Sequence, residues 1–252
     1  MVTRIGRTLG WLLLGSLVAV FAYGCGYYYY AGDLQPTETQ AGLMSVADDG
    51  TITFEQDRFE VRLKPMTDDE LNRQFPSHSN AGPKSTNPFT FGNTQFWGQE
   101  QQERSRFTVF RLSVKNYAYP KVRIDPSKIV LRASNKREYW SLGFDQLDTY
   151  YRAYAIGYRG NEYDRYQERR DLLRRTMFEN EEIFSGQEAD GFVIFPVLHP
   201  DVSQIAVELS DIVTRFDFRN EPSETIDLTY GFSRDIGREY TDGRRVPATS
   251  GT

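Results

Sequence analysis

Two histidines, one cysteine and 35 carboxylate side chains are the groups from which this 252-residue chain must build any acid–base or covalent chemistry. His78 lies in Ser77-His78-Ser79 and His199 in Leu198-His199-Pro200-Asp201. A nucleophile and a base that are merely adjacent in sequence define no catalytic geometry, and no Gly-x-Ser-x-Gly elbow accompanies them, so no triad is expected. His199, beside a proline, reads as a turn residue. Carboxylates cluster in Glu179-Asn180-Glu181-Glu182 and Glu188-Ala189-Asp190. Such pairs can move protons or hold a hard cation, but exposed turns carry the same composition. The lone Cys25 excludes intrachain disulfides and zinc sites built on several thiolates. Phosphate-cradling glycine patterns and EF-hand spacings are missing. No catalytic residue, metal ligand or cofactor is therefore assigned, and the chain is read as non-enzymatic.

The groups suited to recognition are more numerous. Sixteen tyrosines are the main compositional excess, and Phe89, Phe91, Phe96 and Trp97 lie in a polar stretch, 76–105, with no apolar period. Loops of that length are either functional or folded back on their own domain, which leaves these four aromatics as candidate interaction residues. Arg165, Arg169, Arg170, Arg174 and Arg175 interleave with Asp164, Glu168 and Asp171, the pattern of a salt-bridged, solvated helix. Thirty Lys+Arg against 35 Asp+Glu give a net charge of −5, so nucleic acid is not an expected partner.

At the N-terminus, Arg4 and Arg7 precede an apolar run that ends in Ala22-Tyr23-Gly24-Cys25. A charged n-region followed by an apolar h-region is an export signal. The run and its cysteine resemble the lipobox of bacterial lipoproteins, in which the thiol receives a diacylglyceryl group and signal peptidase II cuts before it. The resemblance implies a signal peptide over 1–24, lipid attachment at Cys25 and a place in the bacterial cell envelope, on the outer membrane facing the periplasm. A rival reading stays open. Uncharged residues 8–32 are long enough to cross about 30 Å of hydrocarbon as a tilted anchor helix in the inner membrane, with Tyr27 to Tyr30 at its interface and the body outside the cytoplasm.

Residues 25–50 show no period and read as a tether. Residues 51–64 read as one half-buried strand with Phe59, Val61 and Leu63 on one face, and Thr67-Asp68-Asp69-Glu70 is a capping box that starts a short helix. Residues 106–117 give the densest strand signal, with Phe110, Leu112 and Val114 opposite Arg111, Ser113 and Lys115. Further short strands follow to 142. Leu147, Tyr151, Tyr154 and Tyr158 then switch to helical spacing, and strands return after 182 until about 232. The domain is thus expected over 51–240, with long loop 76–105, helical insertion 145–179 and a flexible tail at 241–252. The segment 107–142, followed by the polar turn and apolar strand 184–196, resembles immunoglobulin-like domains of bacterial envelope proteins. That resemblance implies a mainly β, two-sheet antiparallel immunoglobulin-like sandwich with a helical insertion. The expected function is a membrane-tethered interaction module whose partners are the lipid bilayer and an envelope protein. The alternative is an envelope hydrolase or carbohydrate-active protein using carboxylates and the aromatic loop.

Overall fold

Alternation along the strand Phe107–Asn116 sorts its residues into two environments: Phe110, Leu112 and Val114 are fully buried, and Arg111 on the opposite face is exposed. The computed structural model describes residues 26–93, 105–157 and 162–248. It is mainly β, with 44% strand and 22% helix, in three antiparallel sheets, one a curled half-barrel, beside a short helical insertion. In chain order the described elements are β1 (Tyr27–Ala31), β2 (Gln35–Pro36), β3 (Met44–Val46), β4 (Ile52–Gln56), β5 (Phe59–Met66), α1 (Asp68–Gln74), α2 (Pro76–Ser79), β6 (Phe107–Asn116), β7 (Lys121–Arg123), β8 (Ile129–Ala133), β9 (Glu138–Trp140), α3 (Phe144–Gly157), α4 (Tyr163–Thr176), β10 (Glu182–Phe184), β11 (Gln187–Pro196), β12 (Gln204–Phe216), β13 (Pro222–Ser233), β14 (Ile236–Tyr240) and β15 (Arg245–Pro247).

The five-stranded sheet runs β11-β6-β5-β4-β3 and the seven-stranded sheet β10-β7-β12-β13-β2, with β8 also paired to β12 and β9 to β8. Their inward residues share one core: Val61, Leu63, Phe110 and Leu112 from the first sheet meet Ile205, Val207, Tyr230 and Phe232 from the second. Burying each such side chain stabilises the fold by roughly 1.5–3 kcal/mol. Tyr230 keeps its hydroxyl satisfied by donating to Val61 O at 2.9 Å, a bond from one sheet to the other.

Several expectations are corrected. A third sheet, β1-β14-β15, joins the N-terminal and C-terminal segments, so neither a tether at 26–50 nor a free tail at 241–248 is present among the described residues. Within 26–50, β1, β2 and β3 each enter a different sheet. The Gln40 side-chain amide donates to Gly231 O at 2.8 Å and accepts from Gly231 N at 3.0 Å, which stands in for a neighbouring backbone. The strand expected over 51–64 is a hairpin, because Asp57 (φ 53°) and Arg58 (φ 78°) both adopt the left-handed conformation of a tight two-residue turn. Conversely, residues 204–216 form one long strand, β12, with a register shift between Leu209 and Ile212 and Asp211 at φ 54°. A bulge bends a strand, and here it lets β12 pair β8 at one end and β7 at the other.

The capping box forms as expected: Thr67 Oγ1 accepts from Glu70 N at 3.2 Å, and Glu70 Oε2 accepts from Thr67 N at 3.0 Å. The helical insertion also forms, as α3 and α4. Its buried stripe is Leu147, Tyr151 and Ala155, whereas Tyr154 of the expected stripe is exposed and Tyr158 lies outside the described residues.

Candidate functional site

The helical pair lies on the outer face of β11, and one missing side chain lets it do so. A Cβ at Gly191 would sit 2.5 Å from Phe178 N. Without it, Phe178 N donates to Phe192 O at 3.0 Å, and Met177 makes a parallel bridge to Phe192. The other end of the insertion is held by Leu142 N, which donates to Ile194 O at 2.7 Å just before α3. Between these attachments is a cavity of about 570 Å³, lined by the apolar side chains of Leu142, Phe144, Leu173, Met177, Phe192 and Ile194. Its charged lining residues Asp145, Arg174 and Glu179 are exposed, and the Arg174 guanidinium lies 5.1 Å from the Phe144 ring centroid. A pocket of this size and lining suits an apolar group whose polar attachment remains outside.

A carboxylate pair borders the same cavity. Desolvation, then a hydrogen bond from Glu181 and its charge, hold the Glu179 carboxyl above the usual carboxylate range. Both residues are exposed on the turn before β10.

Behind the cavity, the helical pair clamps the loop after α2 through charged and aromatic groups. Arg169 is 4% exposed, donates from Nη2 to Ser85 O at 2.8 Å, and lies 5.4 Å from the Tyr151 ring centroid. Tyr151 donates to Pro88 O and accepts from Arg106 Nη1 at 3.1 Å. Among the described residues, Nε and Nη1 of Arg169 and Nε of Arg106 have no hydrogen-bond partner. Burial, then the nearby Arg106 charge, lower the pKa of Arg169. Each unpartnered buried donor costs about 1–3 kcal/mol. Asp68, at the start of α1, is pushed up to about 6 by burial, against a hydrogen bond from Ser105 that favours its ionised form.

The candidate interaction residues separate. Phe89 is fully buried, packed between Phe75 and Phe192 with ring centroids 5.7 and 4.9 Å away, so it is core and cannot meet a partner in this conformation. Phe91 is half-buried beneath the Arg106 guanidinium at 4.4 Å. Phe96, Trp97 and the lipid-attachment candidate Cys25 lie outside the described residues. The solvated-helix reading of α4 is corrected at Arg169, which is buried, and at Arg170, whose partner is Asp148 of α3 at 3.1 Å. His78 Nδ1 is 2.8 Å from Thr86 Oγ1, and Ser79 Oγ donates to Phe75 O at 2.9 Å, so these groups support the loop. His199 sits in an exposed turn with Asp201 at 2.6 Å. No group of three or more metal-ligating side chains occurs among the described residues. No helix among them is long and apolar enough to cross a membrane. The cavity escaped sequence reading because its walls come from five separate stretches between 126 and 194. The chain matches no protein-family model, no curated protein and no solved structure.

Proposed function

We propose that the chain is a membrane-tethered, non-enzymatic envelope lipoprotein, attached through Cys25 and facing the periplasm, that acts as a protein-interaction module. In this reading the two larger sheets are an immunoglobulin-like sandwich, and the binding site is the cavity beside β11. The observation that carries it is that cavity: apolar walls from Phe144, Leu173 and Ile194 with exposed charges at Asp145 and Arg174 fit an apolar side chain on a partner's surface. The lipobox-like ending at Cys25 supports the tethering. The hydrolase alternative would draw on Glu179, the exposed carboxylate that lines the same cavity.

The test has two arms. Cys25→Ala is expected to release the protein from the membrane fraction, and mass spectrometry of the native chain to find acyl groups on Cys25. A photoreactive side chain at Asp145 is expected to form one reproducible adduct in intact cells, and that adduct to disappear in an Ile194→Trp variant whose unfolding midpoint is retained. Membrane association that survives Cys25→Ala overturns the lipid anchor, and an adduct that ignores the filled cavity overturns the binding site.

A further inference from the structure

Successive residues of a strand point to opposite sides, so β1 divides its tyrosines between two faces. The register pairs Tyr27 with Tyr240, Tyr29 with Arg238, and Arg238 with Val246, which places these five residues on one face of the small sheet. Their contacts agree with that placement. The Arg238 guanidinium lies 4.8 Å from the Tyr27 ring centroid and 5.9 Å from that of Tyr29. Tyr27 and Tyr29 meet edge to face at 5.4 Å, and Arg244, from the adjoining turn, lies 4.7 Å over Tyr240. The one acidic residue in these three strands, Glu239, is on the opposite face, bound to Arg245 at 2.9 Å. The first face is open to solvent, with Tyr29 57% and Val246 41% exposed.

We infer that this face docks on an anionic bilayer surface, its arginines on headgroup phosphates and its tyrosine rings at the interface. Three features select that occupant. The strand residues of the face carry Arg238 and no carboxylate, and the adjoining turn adds Arg244 beside Asp242, so the surplus comes from the strands and is positive, which complements an anionic leaflet. Tyrosine combines an apolar ring with a polar tip, the composition of interfacial belts. β1 also begins two residues after Cys25, roughly 7 Å of extended chain, so a lipid on that thiol delivers this face to the headgroups. The inference rests on the tethered reading and adds orientation to it: a diacylglyceryl group holds the chain at the bilayer, and the docked face fixes how the body sits there.

The test uses the full-length chain reconstituted in vesicles of phosphatidylcholine alone or mixed with phosphatidylglycerol. Flotation reports attachment, and nitration mapped by mass spectrometry reports tyrosine accessibility, with exposed Tyr163 of α4 as reference. Nitration of Tyr27 and Tyr29 is expected to fall about fivefold on anionic vesicles, the equivalent of one arginine–headgroup contact, and to recover in high salt. Arg238→Gln and, separately, Arg244→Gln in the exposed turn should each weaken the protection. A chain that floats with both vesicle types but shows equal nitration on them overturns the docking face and leaves the anchor standing. A chain that floats with neither overturns the tethered reading and the docking face together. Equal protection in vesicles and detergent identifies self-association and also overturns the inference.

Discussion

The two faces of the five-stranded sheet are packed by different chemistry. Toward the seven-stranded sheet, Phe110, Leu112 and Val114 of β6 and Phe195 of β11 meet apolar partners, with Tyr230 paired across the core. Toward the helical pair, Val109, Phe192 and Ile194 meet Leu147, Tyr151 and Leu173, but Arg106 and Arg169 are inserted nearby and a cavity remains. Farther along β6 and β11 that outer face carries instead the exposed Arg111–Asp190 pair at 2.8 Å. A close-packed interior with its polar groups satisfied holds a fold together. Among the described residues the helical side keeps donors without partners and open volume, which is why the proposed binding site is placed there.

Truncation should break that contrast most severely on the inter-sheet side. Phe110→Ala is expected to lower the unfolding free energy by about 3–5 kcal/mol, read from urea denaturation. A loss below about 1 kcal/mol would mean that the inter-sheet core is not the main source of stability.

Gly191→Ala probes the junction of the two sides. Its Cβ falls 2.5 Å from Phe178 N, in backbone that has no flexible end to yield, and overpacking of this kind costs about 1–3 kcal/mol. The expected signature is local: hydrogen exchange speeds up at Phe178 N, while the amide of Leu63 in β5 keeps its protection. Equal acceleration at both amides would show that the helical pair and the inter-sheet core unfold as one unit.

The smallest effect concerns the polar side. Asp68 has a folded pKa of about 6, above its ordinary value of 3.8. A carboxyl raised on folding favours the native state fully below the unfolded pKa and loses that contribution as pH rises through the folded pKa. Stability should therefore decline between about pH 4 and pH 6 through this group. Asp68→Asn should flatten that segment of the profile and raise stability at pH 7.5 by about 1 kcal/mol. An unchanged slope would place the titration elsewhere.

Binary patterning made the inter-sheet core legible: the period of two in β5 and β6 named Phe59, Val61, Leu63, Phe110, Leu112 and Val114, all fully buried. The capping box and the switch to helical spacing located α1, α3 and α4 for the same reason, since local periodicity reports local structure. What was illegible depends on distant partners. Asp57-Arg58 turns without the glycine that marks most such hairpins. Residues 26–50 have no period because their short strands borrow order from β4, β13 and β14. Phe89 lies in a stretch that reads as loop, and it is buried by an asparagine network: Asn87 Nδ2 donates to Ser79 Oγ at 2.9 Å, and Phe89 N donates to Asn87 Oδ1 at 2.9 Å. The Arg169 donors without partners among the described residues arise where three segments meet, and α4's charge pattern alone pointed outward.

The weaving of residues 26–50 into all three sheets has a consequence for reach. A loose leash of that length would let the body wander about 25–30 Å from its point of attachment. Stitched down as it is, it gives almost no slack. If the proposed anchor at residue 25 holds, it would also set the height and heading of the whole body, and any partner would have to meet it at a fixed altitude.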